Sequence, residues 1–186
     1  AVTNKLLKFV EAQLPKHDIL LLSDYAKGVL PPQTLKKCIA LARKKKVPAL
    51  LAPKPQDPSY LTAIKGISLL VANRQEVITM SERAGTLEQA CKRISKSVDS
   101  PLLATLGAEG MYLVDPTGTA GQFDAHARAV ADVSGAGDTV AATLSLALAA
   151  GLSLAESTDL ANRAAGVAVS KPGTTTVSPQ ELEQVL

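Results

Sequence analysis

Tryptophan is absent from this chain, and cysteine and histidine occur only twice each. Cys38 and Cys91 fall in stretches of helical pattern without Cys-x-x-Cys spacing, so reduced, buried or half-buried thiols are expected rather than a disulfide or a metal site. His17 and His126 have no partners at the spacing of a zinc site or a Ser/His/Asp triad, and a structural role is expected for both. No Gly-x-x-x-x-Gly-Lys-Ser/Thr run is present, which sets aside a P-loop nucleotide hydrolase. The start of the chain is polar and amphipathic, and the apolar run Val140–Ala150 falls short of the roughly 20 residues that span a bilayer. The cytoplasm is therefore the expected location, with no membrane partner. Internal repeats, low-complexity tracts and long linkers are also missing.

What is present, 46% apolar and 20% charged residues over a length of 186, suits one α/β domain able to bury most of its apolar surface. The formal net charge of +3 is mild. The densest basic run, Arg43 to Lys46, closes a helical pattern, where cations complement the helix dipole, so no nucleic-acid partner is expected.

The rest of the chain is organised around Asp132-Val133-Ser134-Gly135-Ala136-Gly137-Asp138-Thr139, which leads straight into Val140–Ala150. Gly135 and Gly137 let the backbone turn without Cβ clashes, and Gly135, Ala136 and Gly137 leave three successive N–H groups unobstructed at a helix start. A helix N-terminus carries about half a positive charge, so these amides can cradle a phosphate. Asp138 would repel that anion, but a carboxylate there can act as a base, taking the proton of an attacking hydroxyl. A capped helix accounts for the same residues without chemistry. A dinucleotide-binding turn is disfavoured, because its third glycine would fall at Val140.

Elsewhere the pattern alternates between helices and strands. Helices are expected from Thr3 to Gln13, from Pro31-Pro32 to about Lys46, from Thr86 (boxed by Gln89) to about Ser97, and from Ser153 (boxed by Glu156) to about Val169. A last helix follows Ser178-Pro179-Gln180-Glu181. Asp18–Leu22 reads as a buried strand of parallel type, joined by Val47–Leu51, Ile67–Val71 and Pro101–Leu106. Met111–Val114 and Gln122–Phe123 flank a turn at Asp115-Pro116-Thr117-Gly118, an antiparallel hairpin for a sheet edge. Ligands of open α/β sheets gather at the C-terminal ends of strands. Those ends carry Ser23-Asp24-Tyr25-Ala26-Lys27-Gly28, Ala52-Pro53-Lys54, Asn73-Arg74-Gln75-Glu76 and Thr105-Leu106-Gly107-Ala108-Glu109-Gly110. Local alternatives exist for each: Asp24 as a loop cap, Lys27 as a solvated charge, Asn73 with Glu76 as a capping pair, and the two glycines as a hairpin turn.

The 132–139 motif, with Asn73-x-x-Glu76 and Thr105-x-Gly107-x-x-Gly110, resembles the signatures of the ribokinase-like (PfkB) carbohydrate kinases. The resemblance implies Asp138 as catalytic base and the amides of Gly135, Ala136 and Gly137 as an anion hole. It implies Asn73 and Glu76 organising water, magnesium and phosphate, with Glu76 acting on the metal indirectly. Thr105, Gly107 and Gly110 would meet the nucleotide, and Asn162 and Ala165 would line the adenine pocket. ATP and Mg2+ are the implied cofactors. The loop Gly173–Thr176 would help to hold a monovalent cation, a tight surface turn being the alternative.

Within that family, Ser23–Gly28 and the wording Gly173-Thr-Thr-Thr-Val-Ser-Pro179 resemble the D-glycero-β-D-manno-heptose 7-phosphate kinases. This implies Asp24 and Lys27 at the sugar phosphate, and phosphorylation of its anomeric hydroxyl in ADP-heptose and lipopolysaccharide core synthesis. Ala52-Pro53-Lys54 departs from their Asp-Pro-Lys, which bears on metal handling or rate, although Lys54 can still meet a phosphate. A different sugar or sugar phosphate, or a nucleotide-binding fragment without turnover, stays open. The expected fold over residues 1–186 is a partial ribokinase-like domain, a mostly parallel sheet flanked by helices, without the family's N-terminal strands and β-lid. An exposed sheet edge would then be covered by a missing segment or in a homodimer.

Overall fold

The computed structural model describes residues 2–81, 85–126 and 130–186. Along the chain lie α1 (Val2–Gln13), β1 (Leu20–Ser23), α2 (Pro32–Lys45), β2 (Ala49–Ala52), the single turn α3 (Tyr60–Ala63), β3 (Leu69–Asn73), α4 (Arg74–Met80) and α5 (Leu87–Val98). They are followed by β4 (Leu102–Thr105), β5 (Met111–Val114), β6 (Ala120–Phe123), α6 (Ala136–Ala149), α7 (Leu154–Val169) and α8 (Pro179–Glu183). Hydrogen bonds order the strands β1-β2-β3-β4-β5-β6 in one sheet. β1, β2 and β3 are parallel, with Leu20 beside Ala49 and Leu50 beside Leu69. The segment joining β5 to β6 is too short for a parallel crossover, so this pair is the expected antiparallel hairpin. Among the described residues no helix is long and apolar enough to cross a membrane.

The chain forms two compact units, Ala1–Ala104 with Val114–Ala120, and Thr105–Leu113 with Gly121–Leu186. In the first, Pro32 opens α2, where its missing N–H costs nothing. Leu35, Cys38, Ile39 and Ala42 then recur on one face of α2 and are buried. Arg43, Lys44 and Lys45 complete its last turn, and Lys46 ends it at φ 58°. α5 buries Ala90, Cys91, Ile94 and Val98 by the same period. Both cysteines are free and buried, and burial pushes the Cys91 thiol up to about 12, which leaves it inert.

Strands begin later than their apolar runs because the first residues spend their N–H groups on the preceding turn. Val47 donates to the Ala42 carbonyl at 3.0 Å, Ile67 donates to the Ile64 carbonyl at 3.1 Å, and Pro48 and Pro101 have no N–H to give. Leu50, Leu51, Leu70, Leu102 and Leu103 are wholly buried in β2, β3 and β4. β1 was expected to be buried throughout; as the first strand of the sheet it has a partner on one side, and only Leu22 is fully covered.

α6 and α7 build the second unit. The two helices pack on one another, and the residues they bury include the small Ala141, Ser145 and Ala147 of α6 and Ala161, Ala164 and Ala168 of α7, which suit a close approach. α8 carries a capping box between Ser178 and Glu181, and Glu181 also pairs with Lys171. The Lys171 ammonium, then the Ser178 N–H and hydroxyl, hold the Glu181 carboxyl down at about 2 from an ordinary value of 4.5. A depressed carboxyl stabilises the fold above its unfolded pKa and loses that contribution as pH falls through the folded value. α8 is therefore expected to stay docked down to about pH 4.5 and to release between there and about pH 2. The Ser178 amide resonance, followed by NMR during acid titration, checks this; release starting well above pH 4.5 would contradict it.

Candidate active site

In the second unit the 132–139 stretch folds as a fastened turn. Asp132 accepts the Ser134 N–H at 2.8 Å on Oδ1 and the Gly173 N–H at 3.2 Å on Oδ2. The Ser134 N–H, first among these donors, holds the Asp132 carboxyl below its ordinary range. The N–H groups of Ala131 and Asp132 both reach the Val169 carbonyl at the end of α7. Gly135 caps α6 at φ 81°, a conformation that suits glycine, and a Cβ there would stand 2.9 Å from Thr174 Cγ2. Its carbonyl accepts the Thr139 N–H at 2.9 Å, closing the first turn of the helix.

That helix starts at Ala136, four residues ahead of the Val140 expected from the apolar run, so Asp138 belongs to the first helical turn. The position reconciles its charge with the site, because a carboxylate in the first turn is stabilised by the helix dipole. Ala136 directs its N–H at the Val133 carbonyl, 3.3 Å away, so this one of the three expected amides is already engaged. The backbone at Gly137 is open: a Cβ there would meet nothing within 4 Å.

Beside this turn is an apolar cavity of about 170 Å³. Thr105, Gly107 and Gly110 form one wall, Ala136 and Gly137 a second, and Asn162 and Ala165 of α7 a third. Seven of the residues expected to meet a nucleotide thus converge on one hollow. Below the usual 300–1,000 Å³ of a ligand pocket, it suits a single ring system rather than a whole nucleotide. Asn162 is nearly buried and its Nδ2 donates to the Asp124 carbonyl at 2.7 Å, so its amide holds the loop after β6 in place. Gln122 Nε2 similarly fastens the Glu109 carbonyl at 2.7 Å. Met111, Val130 and Val169 supply apolar lining from outside any motif, and Val133 adds to it from within the 132–139 motif. Gly166, also at the cavity, carried one signal: a glycine inside a helix costs about 1 kcal/mol against alanine and so asks for a reason. His126 lines the cavity as well and pairs with Asp159 at 3.4 Å.

The first unit holds a separate polar cluster. Asp24, at the end of β1, accepts the Ala26 N–H at 2.9 Å on Oδ1 and the Tyr60 hydroxyl at 2.8 Å on Oδ2. Tyr60 is buried, and burial, then the Asp24 carboxylate, push its hydroxyl well above the ordinary tyrosine range; it is a fixed donor. Motif reading missed it. Lys27 is exposed and stays outside the hollow that Asp24, Lys54 and Tyr60 line. Asn73 and Glu76 form a complete capping box on α4, with Asn73 Oδ1 accepting the Glu76 N–H at 2.9 Å and Glu76 Oε2 accepting the Asn73 N–H at 2.8 Å. Glu76 Oε1 meets Lys54 Nζ at 3.4 Å. Loss of the cap in Asn73→Ala is expected to cost about 1 kcal/mol, read as a lowered urea midpoint at unchanged slope. No loss would show that the box does not hold in solution.

The family described as pfkB family carbohydrate kinase matches residues 1–181. The chain belongs to the pfkB family of carbohydrate kinases. Among its curated relatives, the bifunctional protein HldE of Geobacter metallireducens is 42% identical over 183 residues, covering 96% of this chain and 37% of that protein. HldE of Yersinia enterocolitica is 43% identical over 181 residues, covering 95% and 37%. The chain thus spans a little over a third of the length of these relatives. Arabidopsis thaliana ribokinase, solved with ribose and ATP, superposes with a TM-score of 0.79 at 22% identity, over 94% of this chain and 57% of that one. Escherichia coli phosphofructokinase-2, solved with potassium, gives 0.82 at 22% identity, over 96% and 60%. These likenesses establish the ribokinase-like α/β fold.

Proposed function

We propose that residues 1–186 are the nucleotide side of one ribokinase-like kinase domain that transfers the γ-phosphoryl group of ATP to the anomeric hydroxyl of D-glycero-β-D-manno-heptose 7-phosphate. The observation that carries this is a glycine turn opening α6 with a carboxylate in its first turn, beside a ring-sized apolar cavity. The HldE relatives and the Ser23–Gly28 wording support the heptose as acceptor. In the second unit, adenine occupies the cavity near Asn162 and Ala165, and the Thr105 hydroxyl donates to a phosphate oxygen, with Gly107 and Gly110 allowing close backbone approach. The N–H groups of Gly135, Ala136 and Gly137 hold the charge of the transferred group, the Ala136 N–H leaving Val133 to do so. Asp138 takes the proton from the anomeric oxygen. Each such donor is worth about 3–4 kcal/mol of barrier, so the amides carry at least as much catalysis as the base.

In the first unit, Asp24 and Lys27 serve the sugar phosphate, and Asn73 with Glu76 orders water. Magnesium, when bound, neutralises charge on the β- and γ-phosphates. The described residues offer it no cluster of three acidic, His or Cys ligands, and Glu76 is already engaged by Asn73 and Lys54. Glu76 would therefore hold it indirectly, with nucleotide oxygens and water as the main ligands. Synthesis of ADP-heptose for lipopolysaccharide core, in the cytoplasm, is the setting, with a homodimer as the means of covering an open sheet edge.

ATP consumption and product formation with the heptose 7-phosphate, run beside ribose and fructose 6-phosphate, test the reading. Turnover specific to the heptose supports it, and turnover on another sugar moves the chain elsewhere in the family. ATP binding without turnover favours a second reading, a nucleotide-binding fragment, for which Ala52 speaks by leaving the end of β2 without a carboxylate.

A further inference from the structure

Lys171 stands just past the C-terminus of α7, where a cation complements the negative end of the helix dipole. Its Nζ donates to the Thr176 carbonyl at 2.9 Å and pairs with Glu181 of α8, and three quarters of the side chain is covered. The loop it closes is tied to the 132–138 turn in two ways already described, the Gly173 N–H on Asp132 and Thr174 Cγ2 beside the place a Gly135 Cβ would take, while the Val169 carbonyl just before it holds Ala131 and Asp132. A carbonyl in the loop expected to face an alkali ion is thus taken by an ammonium of the same charge. The buried Thr175 Oγ1 has no partner, but one hydroxyl does not make a coordination shell.

We propose that Lys171 acts as a tethered cation in place of a free monovalent ion, fixing the loop that positions Asp132 and Gly135, so that this chain has no potassium requirement. The expected potassium site and the residues present do not fit together. Lys171 is a positioning residue: it acts on the turn through the loop. Only the nucleotide arm of the test below rests on the function proposed above.

Thermal midpoints and binding of a fluorescent ATP analogue are to be measured for the full chain and for Lys171→Met, in potassium, sodium and tetramethylammonium chloride at equal ionic strength. The unaltered chain is expected to give the same midpoint and affinity in all three salts. Lys171→Met is expected to bind the analogue more weakly, and to regain about 2–4 °C of midpoint in potassium over tetramethylammonium as the ion enters the vacated seat. A midpoint of the unaltered chain that rises specifically with potassium overturns the proposal, as does a Lys171→Met chain indifferent to potassium. If the variant fails to fold, the salt series on the unaltered chain decides. Absence of analogue binding in every salt would count against the nucleotide site, while the midpoints would still judge Lys171.

Discussion

Asp138→Asn is expected to slow phosphoryl transfer by about 10²–10⁴-fold while leaving the nucleotide bound as tightly as before or more so. The two effects separate because the residue has two neighbours of opposite demand. In the proposed reaction the carboxylate is the proton acceptor toward the attacking hydroxyl, and an amide of the same shape cannot replace it. Toward the phosphate, it is a like charge, and its removal relieves repulsion. The fold is expected to hold, since Asp138 is exposed in the first turn of α6, where the dipole contribution of a carboxylate is about 0.3–1 kcal/mol. Initial rates at saturating ATP, with affinity measured separately, make the comparison. A rate loss below tenfold would reduce Asp138 to a helix-end residue; a parallel loss of ATP affinity would mean that the turn had been disturbed.

Local chemistry was readable from the residues, and assembled surfaces were not. The capping boxes at Asn73, Thr86, Ser153 and Ser178 all form, because each needs only a side chain and a backbone three residues apart. Apolar periodicity similarly placed the buried face of α2. Strand starts were misjudged where a turn bond or a proline competed for the first rung, at Val47, Ile67 and Pro101. α6 began early because Gly135 could cap it from the left-handed region, which an apolar run does not report. The Tyr60 contact to Asp24 spans 36 positions, and the valines around the cavity are ordinary residues until the fold gathers them. Motifs therefore marked the polar half of the site, and tertiary packing supplied the apolar half.

Gly110→Ala is expected to destabilise the second unit by at least about 4 kcal/mol, against about 1–2 kcal/mol for Gly107→Ala in the same loop. Both glycines have positive φ, 63° at Gly107 and 78° at Gly110, so both variants carry the left-handed penalty. Their surroundings differ. A Cβ on Gly107 meets nothing within 4 Å, whereas on Gly110 it would lie 1.9 Å from the Phe123 carbonyl oxygen and 2.7 Å from the Ala125 nitrogen. No flexible side chain can yield there, because both neighbours are backbone. Relief requires parting the loop from β6 and from the segment at Asp124, whose carbonyl the Asn162 amide holds. The cavity wall then moves with it, so the analogue affinity of Gly110→Ala should fall along with its urea midpoint, while Gly107→Ala keeps a measurable site. Equal midpoints for the two variants would show that the backbone around Phe123 gives way freely, and that Gly110 is present for its dihedral angle alone.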